Sequence, residues 1–297
     1  IALARNAAAL DSAQVRAVSG TTWSSTSELS YGQWFWRIRS VDSFGNKGDW
    51  GETRRLHRSL LELVEVRGGT VSTLGGGMSV STFSMGKYEV TQKQYQLVAG
   101  SWSGSFLGDT SRPAEQLTWY DAVEFCNKLS VLEGFQPVYS ITNKLPATGH
   151  PITSASVVAD WDKDGYRLPT EAEWEWAARG GASSRGYVYS GGNALESVGW
   201  FTNNSEGSTR SVGTKTPNEL GLFDMSGNVW EWCWDWSDNL PRAAQVDYRG
   251  ADSGTSRVAR GGGWNNSPVS CGVAARNSSL PGNRSSSSGL RFVRTLR

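Results

Sequence analysis

Apolar and polar residues alternate along the first part of the chain, which is the pattern of a strand with one buried face. In "YGQWFWRIRSVD", Trp34, Trp36 and Ile38 fall on one side, and Val41 continues that register. The stretch "SFGNKGDW" follows as a turn, and "GETRRLHR" is the expected return strand. The pattern therefore predicts β structure over residues 28–57.

Two later segments, "VTQKQYQLVAG" and "TWYDAVEFCNKLSVLEG", place their apolar residues at helical spacing instead. In the second segment Thr118 is a candidate N-cap, and Gly134 lies just beyond the end. We therefore expect a helix that packs one face into the core. That face collects Ala122, Val123, Phe125, Cys126 and Leu129.

A third helix is predicted in "PTEAEWEWAARGG", where Thr170 stands at the start and acidic residues fill the first turn. Gly180 follows its end, Trp174, Ala177 and Ala178 are expected to face inward, and Arg167 is expected to anchor the entry. After residue 181 the sequence predicts no further helix for more than 100 residues.

Short strands separated by glycine turns are predicted in "ELVEVRGGTVSTLGGGMSVSTFSMGKYEVT". Another strand is predicted in "GNVWEWCWDW", where four tryptophans at a spacing of two would cover one face. A few helices, short strands and much irregular chain indicate an α+β fold.

Composition narrows the functional classes. The chain has 297 residues with a formal net charge of +1, and it contains no long basic cluster, so nucleic acid is not expected as a partner. The sequence contains no run of 18 apolar residues, so no membrane span is predicted. With 38% hydrophobic but 11% aromatic residues, the core is expected to be built from large flat side chains.

The cysteines and histidines provide no recognisable metal site. Cys126, Cys233 and Cys271 are odd in number and lack metal-ligand spacing, so we expect three buried thiols. The two histidines, His57 and His150, argue against a histidine-based metal site or catalytic triad.

Residues 1–60 resemble the last strands of a fibronectin-type-III sandwich, in which a tryptophan-containing strand precedes the "VDSFGNKGDW" stretch. Because sixty residues are too few for a whole sandwich of that kind, we predict a partial β module. The alternative is an ordinary hairpin appended to the main domain.

Seven motifs carry a family resemblance over the rest of the chain, residues 61–297. They are "MGKYEVTQKQY", "RPAEQLTWYDAVEFCNKLS", "GYRLPTEAEWEWAARGG", "GLFDMSGNVWEWCWDW", "RVARGGGWNN", "AARN" and "GLRFVR", in this order. Together they resemble the formylglycine-generating-enzyme, or sulfatase-modifying-factor, superfamily. The resemblance implies a C-type lectin-like fold of that subtype.

The resemblance also implies a structural calcium site, although no cofactor is expected to be required. Enzymes of the family hold calcium at the positions of Asp224, Gly227, Val229 and Glu231, through two carboxylates and two carbonyls. Oxygen-only ligation on a tight turn suits calcium. The alternative is that Asp224 and Glu231 only accept hydrogen bonds from main-chain groups within the same turn.

We do not expect the chain to be an enzyme. The enzymes of this family resemble one another in using two cysteines that hold copper after the Gly-Gly-x-Trp motif, since thiolate pairs suit Cu(I). Counted from Trp264, the first position is Asn266 and the second is Cys271, and one thiolate does not make the paired site. The rival readings are a formylglycine-type oxidase and a calcium-dependent carbohydrate-binding lectin, for which no Glu-Pro-Asn-like motif is found.

The tract from about 260 to 297 resembles the variable region of proteins diversified by retroelements, most of all the treponemal ones. There, adenines of a template are copied with errors, so asparagine codons become other codons. The resemblance implies a display protein whose diversified residues bind ligand. Those residues are Asn265, Asn266, Ser267, Val269, Ser270, Gly272, Val273, Ala275, Asn277, Ser278, Ser279, Leu280, Ser285, Ser286 and Ser287.

This role requires a backbone that does not depend on the variable side chains. We expect Trp264, Arg276, Leu290 and Phe292 to point inward while the polar residues point outward. Because the tract has few large aromatics, the expected patch is shallow and polar unless tryptophan or phenylalanine at its rim adds contacts. The rim candidates are Trp200, Phe201 and Trp236.

The resemblance also implies a partner and a location. The expected partner is a protein or other macromolecular ligand on another cell or a host surface. The expected location is the bacterial cell surface, as an outer-membrane lipoprotein. On this reading the chain would meet the membrane only through a lipid anchor outside the given sequence.

Overall fold

The computed structural model describes residues 1–5, 7–11, 15–18 and 29–296. It divides into two compact units, Ile1–Leu60 with Leu132–Gly134, and Leu61–Val131 with Phe135–Arg297. None of the helices in these described ranges is long and apolar enough to cross a membrane.

The first unit contains a three-stranded antiparallel sheet in the order β1-β2-β3. The strands are β1 (Ala2–Ala4), β2 (Gly32–Arg37) and β3 (Arg54–Arg58), and a short 3-10 helix covers Ala7–Asp11. The predicted strand and return strand are confirmed, with Trp34 opposite Leu56 and Trp36 opposite Arg54.

The predicted register does not extend past the end of β2. The strand ends at Arg37, and Ile38 and Val41 are 50% and 58% exposed. Both residues lie past the last residue of β2, and Val41 forms an isolated bridge with Lys47 instead of continuing the ladder. The fibronectin-type-III identity of this unit stays a prediction.

The second unit begins its helices where the sequence places capping residues. The hydroxyl groups of Thr91 and Thr170 each accept a hydrogen bond from the main-chain amide three residues later. In return, the side chains of Gln94 and Glu173 accept from the main-chain amides of Thr91 and Thr170. Thr118 likewise exchanges hydrogen bonds with Asp121. These capping boxes satisfy amide groups that the helix itself leaves unpaired. The helices are α1 (Gln92–Ala99), α2 (Trp119–Glu133), α3 (Glu171–Ala178) and α4 (Leu195–Val198).

The helix α4 is the one that the sequence pattern missed, because its four residues form a single turn and show no periodicity. Two short 3-10 segments, Gly181–Ser183 and Pro268–Cys271, complete the helical content of this unit.

Short strands form the rest of the second unit and confirm the predicted α+β class. They make sheets in the orders β10-β16-β7-β4, β14-β13-β11-β15, β12-β6-β5 and β8-β9. The strands are β4 (Leu63–Val66), β5 (Gly69–Val71), β6 (Met78–Val80), β7 (Phe83–Gly86), β8 (Tyr139–Leu145), β9 (Ser154–Ala159), β10 (Tyr166–Arg167), β11 (Trp230–Trp236), β12 (Gln245–Val246), β13 (Arg257–Arg260), β14 (Arg276–Ser279), β15 (Ser288–Gly289) and β16 (Val293–Thr295).

The core of this unit lies around α3. Trp174, Ala177 and Ala178 are fully buried in a cluster with residues of β6, β7 and β13, as expected from the sequence. At the start of the helix, Arg167 forms two hydrogen bonds of 2.7 and 2.6 Å with the Glu173 carboxylate, which confirms its predicted anchoring role. A buried bidentate pair of this kind fixes the direction in which the helix enters the core.

The tryptophan-rich strand β11 is more buried than a strand with one covered face. Trp230 and Trp232 are buried, and Trp234 and Trp236 are half-buried. On the other face, Glu231, Cys233 and Asp235 are also buried. Both faces are covered by other elements: Trp174 of α3 donates to Glu231 on one face, and the rings of Trp119 and Tyr139 lie against Trp234 on the other.

Candidate functional site

The predicted variable tract is built on a pair of neighbouring antiparallel strands, β13 and β14. Their register joins Arg257 to Ser279 and Arg260 to Arg276. Every residue of β13 is buried, whereas β14 lies at the end of its sheet and is exposed in three of its four residues. The tract therefore passes from a buried strand to an exposed one, and main-chain hydrogen bonds hold the two strands together.

Arg260 fastens the tract to α3. Its side chain is fully buried, and its guanidinium donates to a carboxylate oxygen of Glu175 and lies 3.6 Å from Glu171. The same guanidinium donates to the carbonyls of Ala275 and Val273, the latter at 3.3 Å. Since these acceptors are main-chain atoms, the anchorage depends on the path of the tract rather than on its side chains.

Other framework groups hold the tract in the same way, through its carbonyl oxygens. The indole Nε1 of Trp264 donates to the carbonyl of Ser286 at 2.9 Å. Main-chain donors outside the tract supply further such bonds, of which four reach the predicted variable stretch and its surroundings. They join Trp230 N to Ser287 O (2.7 Å), Gln116 N to Ser285 O (2.9 Å), Trp119 N to Pro281 O (3.0 Å) and Thr202 N to Asn266 O (3.1 Å).

The fifteen predicted binding residues divide by exposure. Two of them are buried, Val273 at 2% and Ser287 at 7%. Val273 packs into the core cluster around α3, and Ser287 lies where the tract turns back to β11, so neither belongs to an exposed surface. Half-buried are Asn266, Ser270, Gly272, Ala275, Ser279, Ser285 and Ser286. Exposed are Asn265, Ser267, Val269, Asn277, Ser278 and Leu280.

The expected inward-facing residues behave in three ways. Leu290 and Phe292 are buried as predicted. Trp264 is half-buried and meets Phe106 edge-on, with ring centroids 5.2 Å apart. Arg276 occupies an exposed position, but its side chain turns inward as predicted, and its Nε donates to both carboxylate oxygens of the buried Glu171 at 2.8 and 3.0 Å.

Of the rim candidates, Phe201 is fully buried and lines no surface, because it packs with Leu195, Val198 and Cys271. Trp200 and Trp236 are half-buried. The ring of Trp236 lies 3.4 Å from the Arg257 guanidinium, which stacks on it from within the core.

The two positions expected to matter for copper flank a tight glycine turn. Gly262 has a φ of +80°, and a Cβ there would lie 2.7 Å from the Cys271 sulfur. Burial raises the pKa of the Cys271 thiol to about 12. At the other position, Asn266 Oδ1 accepts from the Gly263 amide at 2.9 Å, so this side chain closes the turn.

The remaining cysteines, Cys126 and Cys233, are free and buried, as the sequence predicts. Burial raises the pKa of both thiols. Burial thus favours the protonated form of all three thiols, whereas reactive cysteines have a lowered pKa.

The turn before β11 combines buried carboxylates with one cation. Arg291 is fully buried and contacts both oxygens of Glu231 at 2.8–3.0 Å, and Trp174 donates to Oε2 at 2.7 Å. Glu89 accepts from the Val229 amide at 3.0 Å, and its pKa is raised by burial and by the neighbouring charges of Asp224 and Glu231. Three carboxylates therefore surround one guanidinium.

Asp224 is the member of this turn that fits a calcium ion. Its Oδ2 accepts from the Gly213 amide at 2.7 Å, while the buried Oδ1 has no hydrogen-bond partner. Burial raises the pKa of Asp224 to about 6. No group of three His, Cys, Asp or Glu side chains in the described ranges could hold a metal, so main-chain carbonyls such as those of Gly227 and Val229 would have to contribute.

One part of the site was not predicted from the sequence. Residues 186–189 lie beside residues 268–275 of the tract and enclose a groove of about 500 Å³ with it. Tyr187, Val188 and Tyr189 supply its wall outside the tract. The alternation of large side chains in "GYVYS" is the available signal, but it does not say which part of the chain they face.

Comparison with known proteins confirms the family resemblance. A family model described as "Sulfatase-modifying factor enzyme 1-like domain" matches residues 54–296. The "Chaperone protein LppX" of Paenibacillus barcinonensis is 38% identical over 229 residues, which cover 68% of this chain and 78% of LppX. The solved structure of Treponema denticola variable protein 1 has a TM-score of 0.72 and 35% identity, covering 78% of this chain and 94% of that one.

The match to the family's enzymes is shorter. The formylglycine-generating enzyme of Streptomyces coelicolor is 39% identical over 166 residues, covering 48% of this chain and 52% of the enzyme. The chain thus spans about half the length of that enzyme, and LppX and the variable protein match over a larger share of the chain.

Proposed function

The chain belongs to the family of sulfatase-modifying factor enzyme 1-like domains, and we propose that it is a non-catalytic display protein that binds a macromolecular ligand through its C-terminal tract. One observation carries the proposal. Buried framework donors hold the carbonyls of Val273, Ala275 and Ser287, while the side chains of Asn265 and Asn277 extend into solvent.

This arrangement separates folding from recognition. A hydrogen bond to a main-chain carbonyl is indifferent to the side chain that the residue carries, and an exposed substitution usually changes the free energy of unfolding by less than about 0.5 kcal/mol. Asparagine, serine and glycine in such positions provide adaptable hydrogen bonding, as they do in antibody loops. The likeness to Treponema denticola variable protein 1 supports the same reading.

A display library tests the binding role. The exposed positions Asn265, Ser267, Val269, Asn277 and Ser278 would be randomised together in the whole chain and the library selected on a purified model protein. We expect most members to fold and selection to yield binders whose affinity depends on these positions. A library in which most members unfold would contradict the proposal.

Diversification of the tract by a retroelement is a separate part of the proposal. It predicts a near-copy of the DNA that encodes residues 260–297, differing chiefly at adenines and close to a reverse-transcriptase gene. Sequencing of the flanking DNA checks it. Display at the bacterial surface through a lipid anchor outside the given chain belongs to the same proposal.

The proposed absence of catalysis rests on the thiols. Cys271 lacks a second cysteine at the Asn266 position, and burial keeps its thiol protonated. We expect no conversion of a sulfatase-derived cysteine peptide to its aldehyde in the presence of copper. Turnover that is lost in a Cys271→Ser variant would instead favour an oxidase.

A structural calcium ion is proposed at the turn before β11. Asp224 would hold it through its unpartnered Oδ1, with the carbonyls of Gly227 and Val229, and the ion would supply positive charge to a buried carboxylate. Glu231, the other carboxylate expected at this site, already accepts from Arg291 and Trp174 and would have to release them to bind the ion. We expect calcium to raise the melting temperature by a few degrees, since a ligand that binds only the folded state stabilises it. Asp224→Asn should remove that response, and an unchanged response in the variant would argue against this site.

A further inference from the structure

The groove beside the tract has one wall outside the tract and one wall within it. Tyr187, Val188 and Tyr189 form the first wall, and Pro268, Val269, Gly272 and Ala275 lie on the second. Its volume of about 500 Å³ is within the range of small-ligand sites, which is about 300–1,000 Å³. If the tract is diversified, substitutions would change one wall only.

The groove exposes apolar side chains that nothing in the described part of the chain covers. Val269 is 86% exposed and Val188 is 58% exposed, and Tyr187 and Tyr189 are half-buried beside them. Aliphatic and aromatic side chains gathered around one concavity are typical of a surface that buries an apolar group of a partner. The sequence predicts a polar patch, and this part of the surface is instead largely apolar.

The two walls are held together before any ligand arrives. The Val273 amide donates to the Val188 carbonyl at 3.0 Å and so joins one wall to the other. The Val188 amide donates to Asn193 Oδ1 at 3.0 Å, and Tyr189 and Gly192 exchange main-chain hydrogen bonds at 3.1 and 3.3 Å. Because the groove is already ordered, little conformational entropy of its residues is lost when a ligand binds.

The charge around the groove is positive on balance. Arg179 lines the groove and donates a hydrogen bond to the Glu175 carboxylate, which also accepts one from Arg260. The exposed Arg185 forms a side-chain hydrogen bond with Tyr187, and the carboxylate of Glu219 interacts with it electrostatically. Arg179 is the one charged residue among those that line the groove, and its partner Glu175 is buried and shared with Arg260. The accessible charge at this end is therefore positive, which favours a partner with a negative charge.

The sheet edge continues the groove. The tract passes from residue 275 directly into β14, which has β13 as its one neighbour in the sheet. At this edge the Ser278 amide donates to Asn277 Oδ1 at 2.9 Å, a bond within the strand itself. An edge of this kind can pair with an extended polypeptide, whose alternate side chains then enter adjacent pockets.

We infer that the groove receives an extended polypeptide segment of the ligand, which places a large apolar side chain between Val188 and Val269 and an Asp or Glu beside Arg179 and Arg185. This inference rests on the proposed binding function and names the chemistry of the partner. It makes Tyr187, Val188 and Tyr189 part of the binding site although they lie outside the tract.

A random peptide library of about twelve residues, displayed on phage and selected on the whole chain, tests the inference. We expect enriched peptides to share an aromatic or aliphatic residue with an acidic residue close by. Synthetic copies should lose at least about tenfold in affinity for Val188→Asp, the loss expected when a central contact is removed. Arg185→Gln should weaken the same peptides about threefold through the lost charge.

A matched control is available on β9. Val158 is 69% exposed on a strand far in sequence from the tract, and Val158→Asp should leave the affinity within about twofold. Melting curves of both variants should match that of the parent, because both valines are exposed.

Three results would overturn the inference. They are a library that yields no enriched peptide, enriched peptides that bind Val188→Asp as well as the parent, and binding to a glycan array that Val188→Asp abolishes while peptides do not bind. If affinity instead depends on Asn265 and Asn277 but not on Val188, the display function stands and the groove is not its site. If randomising the tract unfolds the chain, the display function itself fails.

Discussion

The strands β13 and β14 lie side by side in one sheet and have opposite surroundings. All four residues of β13 are buried, and three of the four in β14 are exposed. The same ladder of hydrogen bonds holds both strands, from Arg257 opposite Ser279 to Arg260 opposite Arg276. The exposed strand thus has a path fixed by main-chain pairing and by Arg276 at its start, without relying on the side chains of Asn277 and Ser278.

The two strands also differ in how many specific contacts their side chains make. In β13, Arg257 lies against the rings of Trp119 and Trp236 at 3.9 and 3.4 Å, and Arg260 reaches two carboxylates and two carbonyls. In β14, Asn277 and Ser278 contact solvent and each other. Specific packing on one strand makes freedom of sequence available on the next.

The largest effect is expected from Arg260→Met. The substitution leaves Glu171 and Glu175 buried with less positive charge and removes donors from two carbonyls, and breaking a buried ion pair costs about 3–5 kcal/mol. Urea denaturation should show this loss in the free energy of unfolding. Arg276→Met is the graded control, because the Arg276 side chain contacts the same Glu171 from a partly exposed position, at 29% exposure, and its loss should cost about 1 kcal/mol. Equal losses would mean that burial does not distinguish the two strands.

The two valines of the tract provide the next test. Val273→Ser should lower the free energy of unfolding by about 2–3 kcal/mol, because it removes buried methyl groups and buries a hydroxyl. Val269→Ser is the matched control, and at 86% exposure it should change stability by less than about 0.5 kcal/mol. Thermal unfolding of the two variants compares them. Similar melting temperatures would refute the division of the tract into buried residues that stabilise the fold and exposed residues that do not.

Sequence reasoning found the elements whose signals are local. Thr118 and Thr170 cap their helices at the predicted starts, and Arg167 anchors the third helix as predicted, through Glu173, a partner that the sequence analysis did not identify. The family motifs supplied the fold because they recur in a fixed order.

Burial within the tract was not predictable in the same way. The prediction assigned Val273 to the same exposed set as Val269, and the two differ because Val273 meets the core around α3 from more than ninety residues away in sequence. The tract shows no periodicity of two or 3.6 residues, so its pattern cannot say which side faces in. The groove depends on residues 186–189 for the same reason, since only the tertiary path brings them to the tract.

The free energy of unfolding is expected to depend on pH through Asp235, a buried residue of β11. Asp235 accepts from the Glu171 amide at 2.7 Å, and burial, with the nearby Glu171 charge, raises its pKa to about 8. The folded state therefore keeps a proton that the unfolded chain releases near pH 4. Stability contributed by that proton is present at low pH and falls as pH rises toward 8.

The variant Asp235→Asn isolates this contribution, because the amide retains an acceptor oxygen and carries no charge. We expect it to raise the free energy of unfolding at pH 8.5 by about 1–2 kcal/mol and to change it little at pH 5. Urea titrations of the parent and the variant at both pH values measure the difference. A parallel loss of stability in both proteins would show that Asp235 is not the titrating group.

The smallest effect is expected on β14 itself. Replacing Asn277 and Ser278 together by Tyr and Lys should alter the free energy of unfolding by less than about 0.5 kcal/mol, because both side chains are exposed and the ladder to β13 uses main-chain atoms. The same two residue types offer a buried comparison in Asn218 and Ser190, which hydrogen-bond each other at 3.0 Å. Their replacement by Tyr and Lys should prevent folding. If the β14 replacement instead lowers the melting temperature by more than a few degrees, the exposed strand takes part in folding and is not free to vary.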